Sequence, residues 1–361
     1  MKFLILTNHS YMLWQFRRDL IVALQQRGDV VLSMPFVGHE KDFQSLGCRC
    51  IDTPMERRGV NPFTDAKLIS FYEKLLREER PDMVITYSIK PNIYGGYLCG
   101  RMGIPCCVNV QGLGTAFQKK GISAIVTQMY RVALRKAKVV FFENQGNADE
   151  FVSRKILPAE KPTVLHGAGV DTDQFSLHPY PPESQGLHFL YLGRIMREKG
   201  VDEFYTAAQN IKAKYGDRVQ FDVVGFFEDD LEERTIQLQS EGVLKFHGFQ
   251  ADPRPYYAAV HCVVLPSYHE GMSNVLLEAA CTGRALITTD IPGCREAVED
   301  GKNGYLCRKM DAESLQNCLE RFIALTEEQR REMGLYGRQL VVPDFDKRAV
   351  VADTLSHIFS E

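Results

Sequence analysis

The chain has 361 residues, 45% of them hydrophobic and 25% charged, with a formal net charge of −3. That length and balance indicate an ordinary globular protein of about two domains and exclude disordered, collagen-like and disulfide-stapled chains. No stretch reaches the ~18–20 apolar residues of a membrane helix.

Phe3–Leu6 is apolar, but Thr7-Asn8-His9 ends the run well short of a secretory signal core. The ten cysteines contain no CxxC pair and read as reduced thiols, which favours the cytoplasm. The small net charge hides an asymmetry. Residues 1–165 carry 23 Lys and Arg against 15 Asp and Glu, whereas residues 166–361 carry 20 against 31. A basic first half expects an anionic contact. No nucleic-acid motif or tight Lys/Arg block accompanies it, so a membrane surface or a phosphorylated lipid is the better candidate.

In chain order, the first half alternates strands and helices. Lys2–Thr7 is a strand. Leu13–Gln26 has helical spacing, with Leu13, Phe16, Leu20, Ala23 and Leu24 on one face. Strands follow at Val30–Met34 and Cys48–Asp52, then a helix at Ala66–Glu79 and a strand at Met83–Tyr87. Asn92–Arg101 reads as helix, Pro105–Val110 as extended, Ser123–Lys136 as helix and Val139–Glu143 as extended. The segment His178–Gly186 has three prolines and a glycine and reads as a linker.

The pattern then restarts: strand Leu187–Leu192, helix Val201–Tyr215, strand Val219–Val224, helix Asp230–Gln239, strands Val243–Phe246 and Cys262–Leu265, helix Asn274–Cys281 and strand Ala285–Thr288. Helices near Ala312–Leu325, Glu327–Leu340 and Lys347–Phe359 close the chain. Strands alternating with helices of 10–15 residues imply parallel α/β sheets. The expected organisation is an N-terminal domain over 1–175, a linker over 176–186 and a second domain over 187–345. A C-terminal helix over 346–361 is expected to return to the first domain, and ligands are expected in the cleft between the domains.

Two segments have the residue types of a phosphate and sugar site. In Pro266-Ser-Tyr-His-Glu270-Gly271-Met272-Ser273-Asn274-Val275-Leu-Leu-Glu278, a buried strand runs through a loop into a helix. Asn274 and Glu278 share a helix face. Gly271 allows close backbone approach, and the N–H groups of Met272–Val275 open a helix, where anions bind. A carboxylate can accept two hydrogen bonds from a sugar diol. Spacing alone equally allows Glu270 a solvated loop and Glu278 a helix surface. The second segment, Gly193-Arg194-Ile-Met-Arg-Glu-Lys199-Gly200, puts two cations after a strand and before a helix, a placement that an anion such as a diphosphate would satisfy. An exposed basic loop is the alternative reading.

Gly193-Arg194…Lys199-Gly200 followed by Glu270-x7-Glu278, with Gly169-Val170-Asp171-x3-Phe175 between them, resembles glycosyltransferase family 4 of the GT-B fold. The resemblance implies two Rossmann-like domains whose parallel sheets face across a cleft, and retaining transfer without a metal or other cofactor. It implies that Arg194 and Lys199 stabilise a nucleotide-diphosphate leaving group, that Glu278 holds the ribose, and that Glu270 contacts the donor sugar. Gly193 and the backbone of Gly271, Met272, Ser273, Asn274 and Val275 would hold sugar and phosphate, with the base near Gly248-Phe249.

The chain departs from the family in two places. Thr7-Asn8-His9-Ser10-Tyr11 stands where many members have Gly-Gly, and Gln111 stands where many have a histidine; Gln cannot shuttle a proton at neutral pH. Phe16-Arg17, Asn61-Pro62-Phe63, Lys90-Pro91-Asn92 and Gly112-Leu113-Gly114 resemble a bacterial branch. Its members transfer a hexose or N-acetylhexosamine to an undecaprenyl-diphosphate-linked sugar in surface-polysaccharide or glycoprotein assembly. Asn8, His9, Ser10, Arg17, Lys90, Gln111 and Gly112 are then the acceptor-side candidates. The resemblance implies a UDP-sugar donor, a polyprenyl-diphosphate-linked acceptor, no nucleic acid, and a peripheral position at the cytoplasmic face of the inner membrane. Arg131, Arg135 and Lys138, one helix face by spacing, with Lys119-Lys120 before them, would meet anionic lipid.

Asp171-Thr172-Asp173 and Asp344-Phe345-Asp346 match an Asp-x-Asp metal motif, but the first lies inside the Gly169–Phe175 segment and the second just precedes the last helix, and neither is taken as a metal site. No GxxxxGK[ST], GxGxxG after the first strand, or HExxH occurs. A nucleotide-sugar 2-epimerase of the same fold, and a non-catalytic sugar-nucleotide or membrane-binding subunit, are the competing readings.

Overall fold

The computed structural model describes residues 1–55, 61–113, 117 and 121–360. Gly114, Lys119 and Lys120, singled out in the sequence, lie outside the described residues. The chain folds as two compact units, Met1–Ala168 with Arg348–Glu361, and Gly169–Lys347.

The first unit runs β1 (Lys2–Leu6), α1 (Ser10–Gln25), β2 (Asp29–Met34), α2 (Glu40–Ser45), β3 (Arg49–Asp52), α3 (Pro62–Glu79), β4 (Met83–Tyr87), a π turn (Pro91–Gly95), α4 (Gly96–Met102), β5 (Cys106–Val110), α5 (Ile122–Leu134), β6 (Val139–Phe142), α6 (Gln145–Ser153) and β7 (Pro162–Val164). Its seven strands pair in parallel in the order β3-β2-β1-β4-β5-β6-β7. Strands covered on both faces read as continuous apolar runs rather than alternating ones. Accordingly, every residue of β4, β5 and β6 is buried, with one core under α1 and another under α3 to α6.

The expected helix at Asn92–Arg101 is split. Gly95 sits where a Cβ would lie 2.9 Å from Leu6 Cδ1. The buried Asn92 accepts from the Thr86 hydroxyl (2.8 Å) and donates to the Asn109 carbonyl (2.8 Å), tying the π turn to β4 and β5. The expected basic face of α5 also needs correction. The helix ends at Leu134, so Arg135 and Lys138 lie beyond it. Arg131 donates to the carbonyls of Lys155 (2.9 Å) and Arg154 (2.5 Å), and Lys138 to that of Ser360 (2.6 Å). Arg131 therefore satisfies carbonyls just past α6, and Lys138 one near the C-terminus.

The second unit contains β8 (Leu187–Leu192), α7 (Val201–Tyr215), β9 (Val219–Val224), α8 (Glu232–Ser240), β10 (Lys245–Phe246), α9 (Arg254–Ala259), β11 (Cys262–Leu265), α10 (Asn274–Cys281), β12 (Ala285–Thr289), β13 (Gly304–Cys307), α11 (Ala312–Ile323) and α12 (Glu327–Phe345). Its parallel order is β10-β9-β8-β11-β12-β13. The proline-rich segment lies inside this unit. His178 N–H donates to Thr282 O (3.2 Å), the buried Arg284 donates to Pro179 O (2.8 Å), and Glu183 pairs with Arg330 (2.5 Å). The chain then returns to the first unit in α13 (Lys347–Phe359), where Phe359 packs edge-on against Phe3 at 6.0 Å and lies under Arg27.

The two Asp-x-Asp segments serve local structure. Asp171 accepts from the N–H groups of Asp173 and Gln174, and Asp346 accepts from the Thr172 hydroxyl at 2.6 Å. All ten cysteines are free thiols.

Candidate active site

In an open parallel sheet, ligands bind beyond the carboxyl ends of the strands where the strand order reverses. The second sheet reverses between β8 and β11. The loops leaving those two strands are Gly193–Gly200 and Pro266–Ser273, the same two segments that carry the phosphate and sugar signals. They are bound to each other. Tyr268 N–H donates to Glu198 O at 2.9 Å. Gly200, at φ +70°, sits where a Cβ would lie 1.9 Å from Pro266 O, so only glycine allows the two loops to approach this closely.

Lys199 Nζ lies 2.5 Å from Glu270 Oε1, and both side chains are largely buried. Arg194 Nη1 lies 2.7 Å from Glu228 Oε2. No sequence motif marks Glu228. It belongs to the loop after β9, and this loop interlocks with the one after β8. Ile195 N–H donates to Phe226 O (2.8 Å), Glu228 N–H donates to Ile195 O (3.1 Å), and Gly225 packs where a Cβ would lie 1.8 Å from Gly193 O. The Tyr191 hydroxyl donates to Arg194 O at 2.8 Å, fixing the loop from below. Each of the two cations thus faces a carboxylate from a neighbouring loop, and the pairs are held by backbone contacts that tolerate little displacement.

The helix start is partly occupied. Ser273 caps α10 by accepting from Leu276 N–H (3.4 Å), and its own N–H donates to Gly293 O (2.9 Å). Ser273 N–H is therefore not among the free N–H groups expected around Met272–Val275. Asn274 and Val275 form the first turn, whose N–H groups no intrahelical carbonyl can accept. The Asn274 side-chain oxygen is buried without a partner, and so is Ser267 Oγ. Buried polar atoms of this kind are rare in native structures and call for an explanation such as a bound ligand. Gly293, at φ +87°, lets its own loop close against Glu270 and Gly271.

Glu278 is buried, and the buried Tyr257 donates its hydroxyl to it at 2.8 Å. Burial pushes the Glu278 carboxyl up to about 7, against the lowering pull of the Tyr257 hydroxyl and of Lys347. Neither partner is marked by local spacing; Tyr257 lies 21 residues away on α9. Phe249 is exposed and stands edge-on to the exposed Phe226 at 6.0 Å, beside Gly248, whose carbonyl accepts from Gly225 N–H at 2.9 Å. His269 lies 3.3 Å from the Lys309 ammonium, and burial followed by the charge of Lys309 lowers its pKa.

In the first unit the switch point lies between β1 and β4, and five of the seven acceptor-side candidates lie at or beside it. The Ser88 hydroxyl donates to Asn8 Oδ1 at 2.7 Å, joining the two strand ends, and Ser88 itself holds φ +73°. His9 caps α1 by accepting from Tyr11 N–H (3.2 Å), while Ser10 Oγ accepts from Val37 N–H (2.9 Å). Gln111 Nε2 donates to Met12 Sδ at 3.4 Å, and half-buried Gly112 follows it. Two candidates are engaged elsewhere in this unit. Arg17 is buried, pairs with Glu143, donates to Gly167 O and lies over the Tyr87 ring. Lys90 pairs with Asp65 at 2.8 Å.

Comparison with known proteins matches both units. The family model for glycosyl transferases group 1 matches residues 186–324. That for the glycosyl transferase 4-like domain matches residues 13–168. The chain is 25% identical over 348 residues to the N,N'-diacetylbacillosaminyl-diphospho-undecaprenol alpha-1,3-N-acetylgalactosaminyltransferase of Campylobacter jejuni, covering 91% of this chain and 90% of that protein. It is 27% identical over 313 residues to a UDP-Gal:alpha-D-GlcNAc-diphosphoundecaprenol alpha-1,3-galactosyltransferase of Escherichia coli, covering 81% and 79%. Among solved structures, Anabaena HepE in complex with UDP-glucose superposes with a TM-score of 0.78 at 18% identity, over 99% of each chain. The fold is therefore GT-B. With one family model on each α/β unit and the motif residues gathered at the strand ends, the chain belongs to the group 1, 4-like glycosyltransferases.

Proposed function

We propose that this glycosyltransferase moves a hexose or N-acetylhexosamine from a UDP-sugar to a polyprenyl-diphosphate-linked sugar, with retention at the anomeric carbon and without a metal. The observation that carries the reading is the pairing of both switch-point cations with carboxylates on interlocked loops, beside the first turn of α10. A departing diphosphate accumulates negative charge, and preorganised cations and N–H groups stabilise it without reorganising. On donor binding, Arg194 and Lys199 turn their donors to the phosphates. Glu270, released from Lys199, accepts from the sugar hydroxyls. Glu278 accepts from the ribose diol, and Phe249 stacks on the base. The Asn274 side chain gains a partner in the sugar or phosphate.

The acceptor reading rests on the relatives from Campylobacter jejuni and Escherichia coli, whose names specify undecaprenol-diphosphate-linked substrates. The basic first half supports a position at an anionic membrane surface. Among the described residues no helix is long and apolar enough to cross a membrane. The test is a screen of UDP-, GDP- and ADP-sugars for transfer to an undecaprenyl-diphosphate-linked sugar, with and without a chelator. UDP-sugar transfer that survives chelation and gives product of unchanged anomeric configuration is expected. Inverted product, or transfer abolished by the chelator, overturns the mechanism. Failure of every nucleotide sugar to bind overturns the donor assignment.

A further inference from the structure

We propose that α4 and α5 form a docking face that inserts apolar side chains into an anionic lipid surface. The proposal rests on the lipid-linked acceptor reading and names the surface that would meet the bilayer carrying that acceptor. One side of α5 is buried against the first unit. The outward side carries the exposed Ile122, Ile125 and Val132, on one helix stripe whose Met129 packs at the edge of the core. A solvent-facing stripe is ordinarily polar, yet Ile125 is 63% exposed, Val132 50% and Ile122 37%. The neighbouring α4 adds Tyr97, 41% exposed. The two helices pack closely through small residues: a Cβ on Gly96 would meet Ala133 O at 3.3 Å, and one on Gly100 would meet Lys136 Cβ at 3.3 Å. Lys136 therefore stands at the seam, four residues beyond Val132, with Arg135 exposed beside it.

Charge identifies the occupant. From Met83 to Phe142 the sequence has eight Lys and Arg and no Asp or Glu. Lys90 pairs with Asp65, Arg101 pairs with Glu73 of α3, and Arg131 and Lys138 bind carbonyls, which among the described residues leaves Arg135 and Lys136 at the end of the apolar stripe. Apolar side chains flanked by cations, on a stretch without any acid, match a uniformly negative surface with an apolar interior. A protein partner has no such requirement.

The experiment is flotation of the full chain with phosphatidylcholine vesicles, plain or containing one third phosphatidylglycerol. The wild-type chain is expected to bind the anionic vesicles. The Ile125→Ser/Val132→Ser double variant is expected to bind them about 100-fold less tightly, from about tenfold per removed apolar side chain, with donor-sugar hydrolysis unchanged. Arg135→Gln/Lys136→Gln is expected to lose several-fold in affinity and most of its salt dependence. If the double variant binds as the wild type does, the docking face is overturned while the acceptor reading stands. If the wild type transfers sugar to a detergent-held lipid acceptor but floats with neither vesicle, docking is likewise overturned. If it floats through this face yet does not use the lipid acceptor, the acceptor reading alone falls. A concentration-dependent dimer broken by the double variant would make a second copy the occupant and overturn the proposal.

Discussion

Glu278→Gln separates the stability of the second unit from its donor binding. The glutamate is buried, and its carboxyl is raised from 4.5 to about 7, chiefly by burial. Between those two values the folded chain holds a proton that the unfolded chain releases, so stability falls as pH rises through the window. Below 4.5 both states are protonated and the site costs nothing. Above about 7 the cost is complete, roughly 3 kcal/mol at 1.36 kcal/mol per pH unit. Glutamine keeps the shape and can still accept from the Tyr257 hydroxyl, but it never ionises. The variant should match the wild type near pH 4, gain on it between about pH 4.5 and 7, and hold that gain at pH 8. For a unit of this size the gain corresponds to roughly 6–12 °C in Tm. Thermal unfolding of both proteins across that range measures it. UDP affinity should move the other way, falling about tenfold with loss of a charged acceptor for the ribose hydroxyls. A Tm difference that does not change with pH would refute the raised carboxyl, and unchanged UDP affinity would refute the ribose role.

Phe249→Ala should weaken UDP binding about tenfold by calorimetry, because an aromatic stacked on a base contributes ~1–3 kcal/mol. It should leave stability nearly unchanged, since the ring is exposed. Glu228→Gln should lower kcat about tenfold with a smaller change in KM, because Arg194 keeps its charge but loses its fixed orientation. Gly200→Ala should destabilise the chain by more than about 2 kcal/mol in denaturant titrations. The added methyl overlaps Pro266 O, and the backbone there holds a left-handed φ.

The parallel strands and long helices were legible because their signals are local. β8, β9, β11 and α10 stand where apolar runs and helical spacing place them. Short elements such as α2, α9 and β13 escaped because six or fewer residues carry too little periodicity. In the site, Arg194, Lys199, Glu270 and Glu278 were legible as types at strand ends, but their partners were not. Glu228 lies 34 residues from Arg194 and Tyr257 lies 21 from Glu278; only the parallel sheet brings them together. The basic face expected on α5 failed for a related reason. Helix spacing carried the pattern past Leu134, where the helix ends and where Lys138 finds a carbonyl 222 residues away.

Single-turnover sugar transfer by Lys199→Ala with the cognate donor isolates the part Lys199 plays in the chemical step. If Lys199 leaves Glu270 to stabilise the departing diphosphate, the chemical step should slow ~10²–10³-fold while donor binding changes much less. Undiminished transfer by the variant would show that Lys199 does not stabilise the leaving group.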